Sequence, residues 1–69
     1  MKINPEDIKV GYQFKSYDED DQRWYKTEIK TIVNNKITLV DIDEKSAWQG
    51  MEWDTNPTDI QDKQLYKQL

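Results

Sequence analysis

Apolar and polar residues alternate with a period of two through the middle of the chain, and β-branched residues are frequent there. This period places successive side chains on opposite faces of a strand. The second predicted strand is long, and one of its faces carries Tyr25, Thr27, Ile29 and Thr31. The pattern as a whole predicts strands over residues 10–17, 24–33, 36–42 and 47–53.

Polar segments separate these strands and supply the turns. Residues 18–22 are predicted to form an acidic hairpin loop, and residues 43–46 form a second polar loop. Asn34 and Asn35 are typical of a tight turn, because Asn tolerates the positive φ angle that such turns require. Gly50 lies inside the fourth predicted strand, which indicates a bulge there.

The two ends of the chain share a pattern in which Pro follows Asn. Residues 4–7 and 56–59 are therefore predicted to form single helical turns. Residues 64–69 fit two alternatives, a fifth strand or the extension of a short helix from Thr58. The second alternative has support from Gln61, three residues after Thr58, as in a capping box.

Four or five short strands in 69 residues can bury a shared face only by curling into a small barrel. We therefore expect one all-β domain over residues 1–69, with four to five antiparallel strands and short helical turns near the termini. Because the chain begins at Met1, we also expect a complete, free-standing module. The predicted core residues are Val10, Phe14, Thr27, Ile29, Ile32, Ile37, Leu39, Trp53, Ile60 and Leu65.

The amino-acid composition limits the kinds of functional site that the chain can form. The chain has no Cys and no His, which excludes disulfides, conventional zinc sites and catalytic triads that use these residues. We expect no cofactor, no metal and no enzymatic activity. No apolar run approaches the roughly 20 residues needed to span a bilayer. We therefore expect a soluble, cytoplasmic protein that makes no contact with membranes.

Charge indicates what kind of partner to expect. Fourteen acidic residues outnumber ten basic ones, which gives a net charge of −4. The lysines are scattered along the chain, so direct nucleic-acid binding is not expected. A negative protein is better suited to a partner with a basic surface.

The acidic residues are concentrated in two of the predicted loops. In an up-and-down meander the first and third loops lie at the same end of the sheet, and they carry Asp18, Glu19, Asp20 and Asp21, and Asp41, Asp43 and Glu44. One interpretation is that these are solvated turn residues. The other is a docking rim with aromatic anchors. The predicted partner-binding residues are Tyr17, Asp18, Asp20, Asp21, Trp24, Tyr25, Asp41, Asp43 and Trp48.

The first third of the chain resembles a known family. Val10-Gly11, the acidic loop at Asp20-Asp21, the pair Trp24-Tyr25, and then Ile29 and Ile32 follow one another as in Tudor-type SH3-like barrels. The resemblance covers about residues 10–32. It implies an SH3-like, or Tudor-like, barrel for the chain.

The resemblance also implies an aromatic cage that binds methylated Lys or Arg. Aromatic faces attract a cation whose methyl groups make it easy to desolvate. Tyr25 matches one cage position. Two other positions depart from the family pattern, since they fall near Asp18 and in residues 41–43, where there is no aromatic ring. Trp48 is the candidate to substitute for a missing ring.

Two functional hypotheses follow. The first is a non-catalytic protein-interaction module that binds a basic, Lys- or Arg-containing partner surface or peptide through the acidic and aromatic rim. The second is a small acidic inhibitor, similar to phage-encoded proteins, that occupies the nucleic-acid-binding groove of a host or defence enzyme. An exposed edge strand also offers a route to a homodimer.

Overall fold

The computed structural model describes all 69 residues, Met1–Leu69. Its five strands form a single antiparallel sheet in the order β4-β3-β2-β1-β5. The all-β prediction is confirmed, and of the two alternatives for residues 64–69 the structure has the strand. The strands are β1 (Gln13–Asp18), β2 (Arg23–Val33), β3 (Lys36–Asp41), β4 (Glu52–Thr55) and β5 (Tyr66–Gln68), with single 3₁₀ turns at Pro5–Asp7 and Asp59–Gln61.

The sheet curls without closing through its backbone. Because β4 and β5 are both edge strands, the expected closed barrel is not confirmed by the strand pairing. The two edges nevertheless approach each other across the core. The indole nitrogen of Trp53 in β4 donates a hydrogen bond of 3.2 Å to the hydroxyl oxygen of Tyr66 in β5. A side-chain bond therefore links the edges that backbone bonds leave apart.

The long strand β2 contains a bulge at Lys30. Ile29 pairs with Leu39, but the next paired residue is Thr31, which lies opposite Thr38. The extra residue shifts the alternation of side chains between the two faces. The prediction that Thr31 shares a face with the buried part of β2 is therefore wrong, and Thr31 is exposed.

The start of β1 also differs from the prediction. A turn precedes the strand, in which the amide of Tyr12 donates to the carbonyl oxygen of Lys9 at 3.1 Å. Gly11 in this turn has a φ angle of 92°, which favours glycine. Val10 consequently lies outside the strand and is 63% exposed, so its assignment to the core is wrong.

The core lies on the inner face of the curled sheet. Ile32 was predicted to belong to it, but this side chain is 36% exposed near the open end of β2. Ile3 and Tyr66 are buried although the sequence pattern did not identify them. Trp53 and Leu65 are only partly buried against the core. The buried cluster consists of Ile3, Phe14, Ile29, Ile37, Leu39, Ile60 and Tyr66.

Both terminal segments are tied to the sheet. The amide of Gln68 donates to the carbonyl oxygen of Met1 at 2.9 Å, so the N-terminus runs beside β5. The side-chain amide of Gln61 reaches the carbonyl oxygen of Ile3 at 3.3 Å. These bonds hold Ile3 over the core. The fold has no helix with the length and apolar character that crossing a membrane would require.

A matched pair of substitutions tests the core assignment. Ile29→Val removes one methylene from a fully buried site and should lower the free energy of unfolding by about 0.5–1.5 kcal/mol. Ile32→Val makes the same change at the exposed end of β2 and should cost less than about 0.5 kcal/mol. Urea denaturation of both variants measures the difference. Equal losses would contradict the assigned core.

Candidate functional site

An open groove of about 400 Å³ lies where β1 turns into β2 and β3 leads towards β4. Two buried hydroxyl groups, from Ser16 and Thr27, form part of its lining and lie 2.7 Å apart in a mutual hydrogen bond. Because the Thr27 hydroxyl donates its one proton to the carbonyl oxygen of Tyr25 at 3.3 Å, Ser16 is the donor in the bond between the two hydroxyls. This part of the lining is therefore polar but internally satisfied.

Aromatic side chains form the walls of the groove. Tyr25 comes from the inner face of β2, Trp53 comes from β4, and Trp48 comes from the loop before β4. Met51 adds a further apolar surface. Since Trp48 is 50% exposed, the groove presents a large apolar ring to solvent. Large flat side chains of this kind are the usual anchors of protein interfaces.

Four carboxylates line the same groove, and no Lys or Arg does. The only ion pair in the structure joins Lys30 to Glu52 and lies elsewhere. The carboxylates therefore have no cationic side chain that neutralises them. We call this surface the acidic–aromatic groove, and its acidic residues are Asp18, Glu19, Asp20 and Asp41.

The first hairpin loop is shaped by one of its own carboxylates. Asp18 accepts hydrogen bonds from the amides of Asp20 at 2.9 Å and Asp21 at 3.3 Å, as in an Asx turn. Gln22 completes the loop with a φ angle of 52°. Glu19 and Asp20 are exposed in this loop, and neither side chain makes a hydrogen bond. Their carboxylates are therefore free to meet a partner.

Asp21 was predicted to bind the partner, but it lies outside the groove and orients Tyr25 instead. The Tyr25 hydroxyl donates a hydrogen bond of 2.8 Å to the Asp21 carboxylate. This bond stabilises the neutral phenol and is the main reason why the pKa of Tyr25 is raised above its ordinary value of 10.0. The Arg23 guanidinium, 5.4 Å from the ring centroid, opposes the shift.

The third loop is organised by Asp41, which is buried at the end of β3. One carboxylate oxygen accepts a 2.6 Å hydrogen bond from the Ser46 hydroxyl, and the other accepts the amide of Asp43 at 2.9 Å. The Ser46 oxygen in turn accepts the amide of Trp48 at 3.0 Å. A short chain of hydrogen bonds thus runs from Asp41 through Ser46 to Trp48.

Trp48 lies in a tight turn and not in the fourth strand, as the sequence pattern predicted. The amide of Met51 donates to the carbonyl oxygen of Trp48 at 2.9 Å, and Gly50 has a φ angle of 90°. A positive φ at the third position is typical of a type II turn. The Gly50 amide also donates to the carbonyl oxygen of Asp41 at 2.7 Å. The turn is therefore fixed to the end of β3.

The pair Tyr17 and Trp24 belongs mainly to the other face of the sheet. Tyr17 borders the groove, but its ring packs against Trp24 with a centroid distance of 5.2 Å. The neighbours Ser16 and Tyr25 point inwards, so the strand alternation points Tyr17 and Trp24 outwards. Trp24 does not line the groove, although it was predicted to do so.

Asp43 has a structural role outside the groove. Its carboxylate accepts the amides of Lys26 and Lys45, both at 2.9 Å. These two bonds to the charged form hold the pKa of Asp43 below its ordinary value of 3.8. The carboxylate therefore connects the third loop to β2.

Six of the nine predicted residues meet at the groove, and Asp21, Trp24 and Asp43 do not line it. For two of the groove residues that the prediction missed, the sequence contained some indication. Glu19 lies in the same acidic loop, and Trp53 was assigned to the core. Nothing in the sequence pattern indicated that Met51 would line the groove. The groove contains Tyr17, Asp18, Asp20, Tyr25, Asp41 and Trp48 from the predicted set.

Comparison with known proteins gives no further assignment, since no protein-family model, curated protein or solved structure matches the chain. The chemistry of the groove therefore has to be inferred from its own residues. Nowhere in the structure do three or more acidic side chains converge in an arrangement able to hold a metal ion. What the groove offers is a set of dispersed negative charges beside aromatic rings, of which Trp48 is exposed.

Removal of the Ser46 hydroxyl tests the loop that carries Trp48. Ser46→Ala leaves one oxygen of the buried Asp41 carboxylate and the Trp48 amide without a partner, so we expect a loss of about 1–3 kcal/mol in the free energy of unfolding. Thr58→Ala removes an exposed hydroxyl that makes no side-chain hydrogen bond and serves as the control. Urea denaturation compares them. A Ser46→Ala variant as stable as the control would refute the role of this bond.

The bond between Asp21 and Tyr25 can be tested by titration. Asp21→Ala should lower the pKa of Tyr25 towards 10.0, measured from the ring signals of Tyr25 by NMR. In the native protein the neutral phenol stabilises the fold at every pH below about 10, and this contribution is lost as pH rises through the raised pKa. A Tyr25 pKa that is the same in both proteins would show that Asp21 does not hold the hydroxyl.

Proposed function

We propose that the protein is a non-catalytic interaction module that binds a Lys- or Arg-containing peptide or protein surface in the acidic–aromatic groove. The observation that carries the proposal is the composition of the groove, in which four carboxylates and three inward aromatic rings occur together without any basic side chain. A cationic side chain from a partner supplies the missing charge. The same chemistry suits both lysine and arginine.

Electrostatic attraction provides the first part of the binding. Like charges held close together repel one another, so the carboxylates at one end of the sheet cost stability in the free protein. A bound cation relieves this repulsion. Glu19 and Asp20 are exposed and free of hydrogen bonds from their side chains, so they meet an approaching partner first. Asp41 is buried and supplies a fixed negative charge deeper in the groove.

The aromatic rings provide the second part. A cation within about 6 Å of a ring centroid is attracted to the ring face, and the gain is larger where water is excluded. Trp48, Trp53 and Tyr25 line the groove from three different segments, so a side chain that enters it contacts rings on more than one side. Methylation of the ligand makes its desolvation easier and is compatible with this arrangement.

The groove is prepared before the ligand arrives. Trp48 is held by the hydrogen bonds through Ser46 to Asp41, and Tyr25 is held by Asp21. Trp53 is held by its bond to Tyr66. Since the Tyr25 and Trp53 side chains and the backbone of Trp48 are already held in place, binding loses less conformational entropy than it would in a flexible groove, which supports a recognition role.

The proposal includes an SH3-like, Tudor-like barrel as the architecture. Four strands follow one another in a meander, and β5 returns to pair with β1. This order brings the two edges together, and the hydrogen bond between Trp53 and Tyr66 spans them. The curl of the sheet supports a small barrel whose last closure is made by side chains.

The proposal can be tested with defined basic peptides. Arg-containing and Lys-containing peptides, unmodified and methylated, are titrated against the protein at millimolar concentration while amide shifts are followed by NMR. The shifts should concentrate at Asp20, Tyr25 and Trp48. Trp48→Ala should weaken binding by about 2 kcal/mol or more, roughly thirtyfold, as for an interface anchor. A neutral peptide of equal length is the ligand control.

Charge reversal distinguishes binding at the groove from nonspecific attraction to the net negative charge of the protein. Asp20→Lys places a positive charge at the groove and should slow association and reduce its dependence on salt. Glu6→Lys makes the same change in net charge at an exposed position in the first 3₁₀ turn. If both reversals weaken binding equally, the groove is not the binding site. If no basic peptide shifts the groove amides, the proposal fails.

A further inference from the structure

The outer face of the sheet gathers three lysines that lie far apart in the sequence. In the strand register, Lys15 of β1 lies directly opposite Lys26 of β2 on one side and Lys67 of β5 on the other. Because paired residues share a face, these side chains form a row across three strands. At about 4.8 Å between strands, the row is roughly 10 Å wide. We call these three residues the lysine row.

The lysine row lacks acidic partners. None of its ammonium groups forms an ion pair, since the only one in the structure is between Lys30 and Glu52. Two carboxylates lie nearby but are engaged otherwise. Glu28 accepts the side-chain amide of Gln13, and Asp43 accepts backbone amides. Like charges directly opposite one another destabilise a sheet, so the row costs stability that no ion pair within the chain offsets.

An aromatic pair lies beside the lysine row on the same face. Tyr17 and Trp24 are the next outward pair of β1 and β2, and both rings are half-buried. Their centroids are 5.2 Å apart. The ammonium nitrogen of Lys67 lies 4.2 Å from the centroid of the Trp24 ring, which joins the pair to the row. Cations and a flat ring surface thus occur together.

We propose that this outer face binds single-stranded nucleic acid. Phosphates along the strand contact the lysine row, and a base stacks on the Trp24 ring after the Lys67 ammonium has moved from the ring to a phosphate. A ring beside a row of cations suits this ligand, because every base has an aromatic face and every linkage has a negative charge. A ligand that carried only charge would make no use of the ring.

The net charge of −4 does not oppose this proposal, because the charges are separated in space. Four of the acidic residues line the groove, which opens on the inner side of the sheet. Others lie on the outer face near β4, where Glu52 and Asp54 bond Lys30 and Thr38. The sequence predicts no nucleic-acid binding because its lysines are scattered, and the sheet is what brings three of them together.

The first experiment measures binding of a fluorescent oligonucleotide of about ten nucleotides, of thymine or uracil, by anisotropy at low salt. Three phosphate contacts to a single strand predict that the logarithm of the binding constant falls with the logarithm of salt at a slope of about −2. The triple variant Lys15→Gln, Lys26→Gln and Lys67→Gln should abolish binding and its salt dependence. Lys36→Gln, at the exposed start of β3, should leave the slope unchanged.

The second experiment tests whether a base stacks on the Trp24 ring. Trp24→Leu should weaken binding roughly fivefold to a hundredfold, the range expected for loss of one stacked base. Trp24→Phe keeps an aromatic ring and should restore most of the affinity, provided that circular dichroism shows both variants folded. Loss of affinity in the Phe variant equal to that in the Leu variant would overturn stacking.

Three outcomes would overturn the proposal. These are no binding at low salt, binding that the triple lysine variant retains, and binding of double-stranded and single-stranded oligonucleotides with equal affinity. Self-association of the protein that disappears in the triple variant, without any nucleic-acid binding, would assign the face to a second copy of the chain. None of these outcomes bears on the groove, because the groove acids Glu19 and Asp20 are unchanged in every variant.

Discussion

A single five-stranded sheet must cover its own core, and the rest of the structure depends on how it does so. The central strands supply one apolar face, with Phe14, Ile29 and Leu39 fully buried. A flat sheet would leave this face exposed to water, so burial of its apolar area drives the sheet to curl. The bulge at Lys30 contributes to the bend of β2, since bulges increase local twist. Ile3 and Ile60, from outside the strands, cover what remains.

The groove is a consequence of the same curl. At one end of the sheet the core gives way to hydroxyls, and the loops that follow β1 and β3 rise around them. Asp41 lies at the boundary, where its carboxylate receives two hydrogen bonds from the loop that it orders. The position of a charged residue at the edge of the core thus marks where core packing ends and the groove begins.

Local sequence patterns predicted the structural features that depend on residues adjacent in the chain. Strand alternation located β1 to β3, and the preference of Asn for positive φ identified the turn at Asn34, which has a φ angle of 57°. Contacts between distant residues were not predictable in this way. Trp48 leaves the strand because the Gly50 amide bonds the end of β3. Tyr17 and Trp24 were assigned to one surface with Tyr25, although alternation places adjacent residues on opposite faces.

The separation of charge between the two faces also has a consequence at a distance. The free carboxylates at the groove and the lysine row on the outer face form a local dipole that a modest net charge does not reveal. A dipole experiences a torque in the field of any charged body. The molecule therefore turns as it approaches such a body and presents one face before contact. Mobile ions screen this field within about 10 Å at 0.1 M salt. Orientation before contact is therefore expected at low salt concentration.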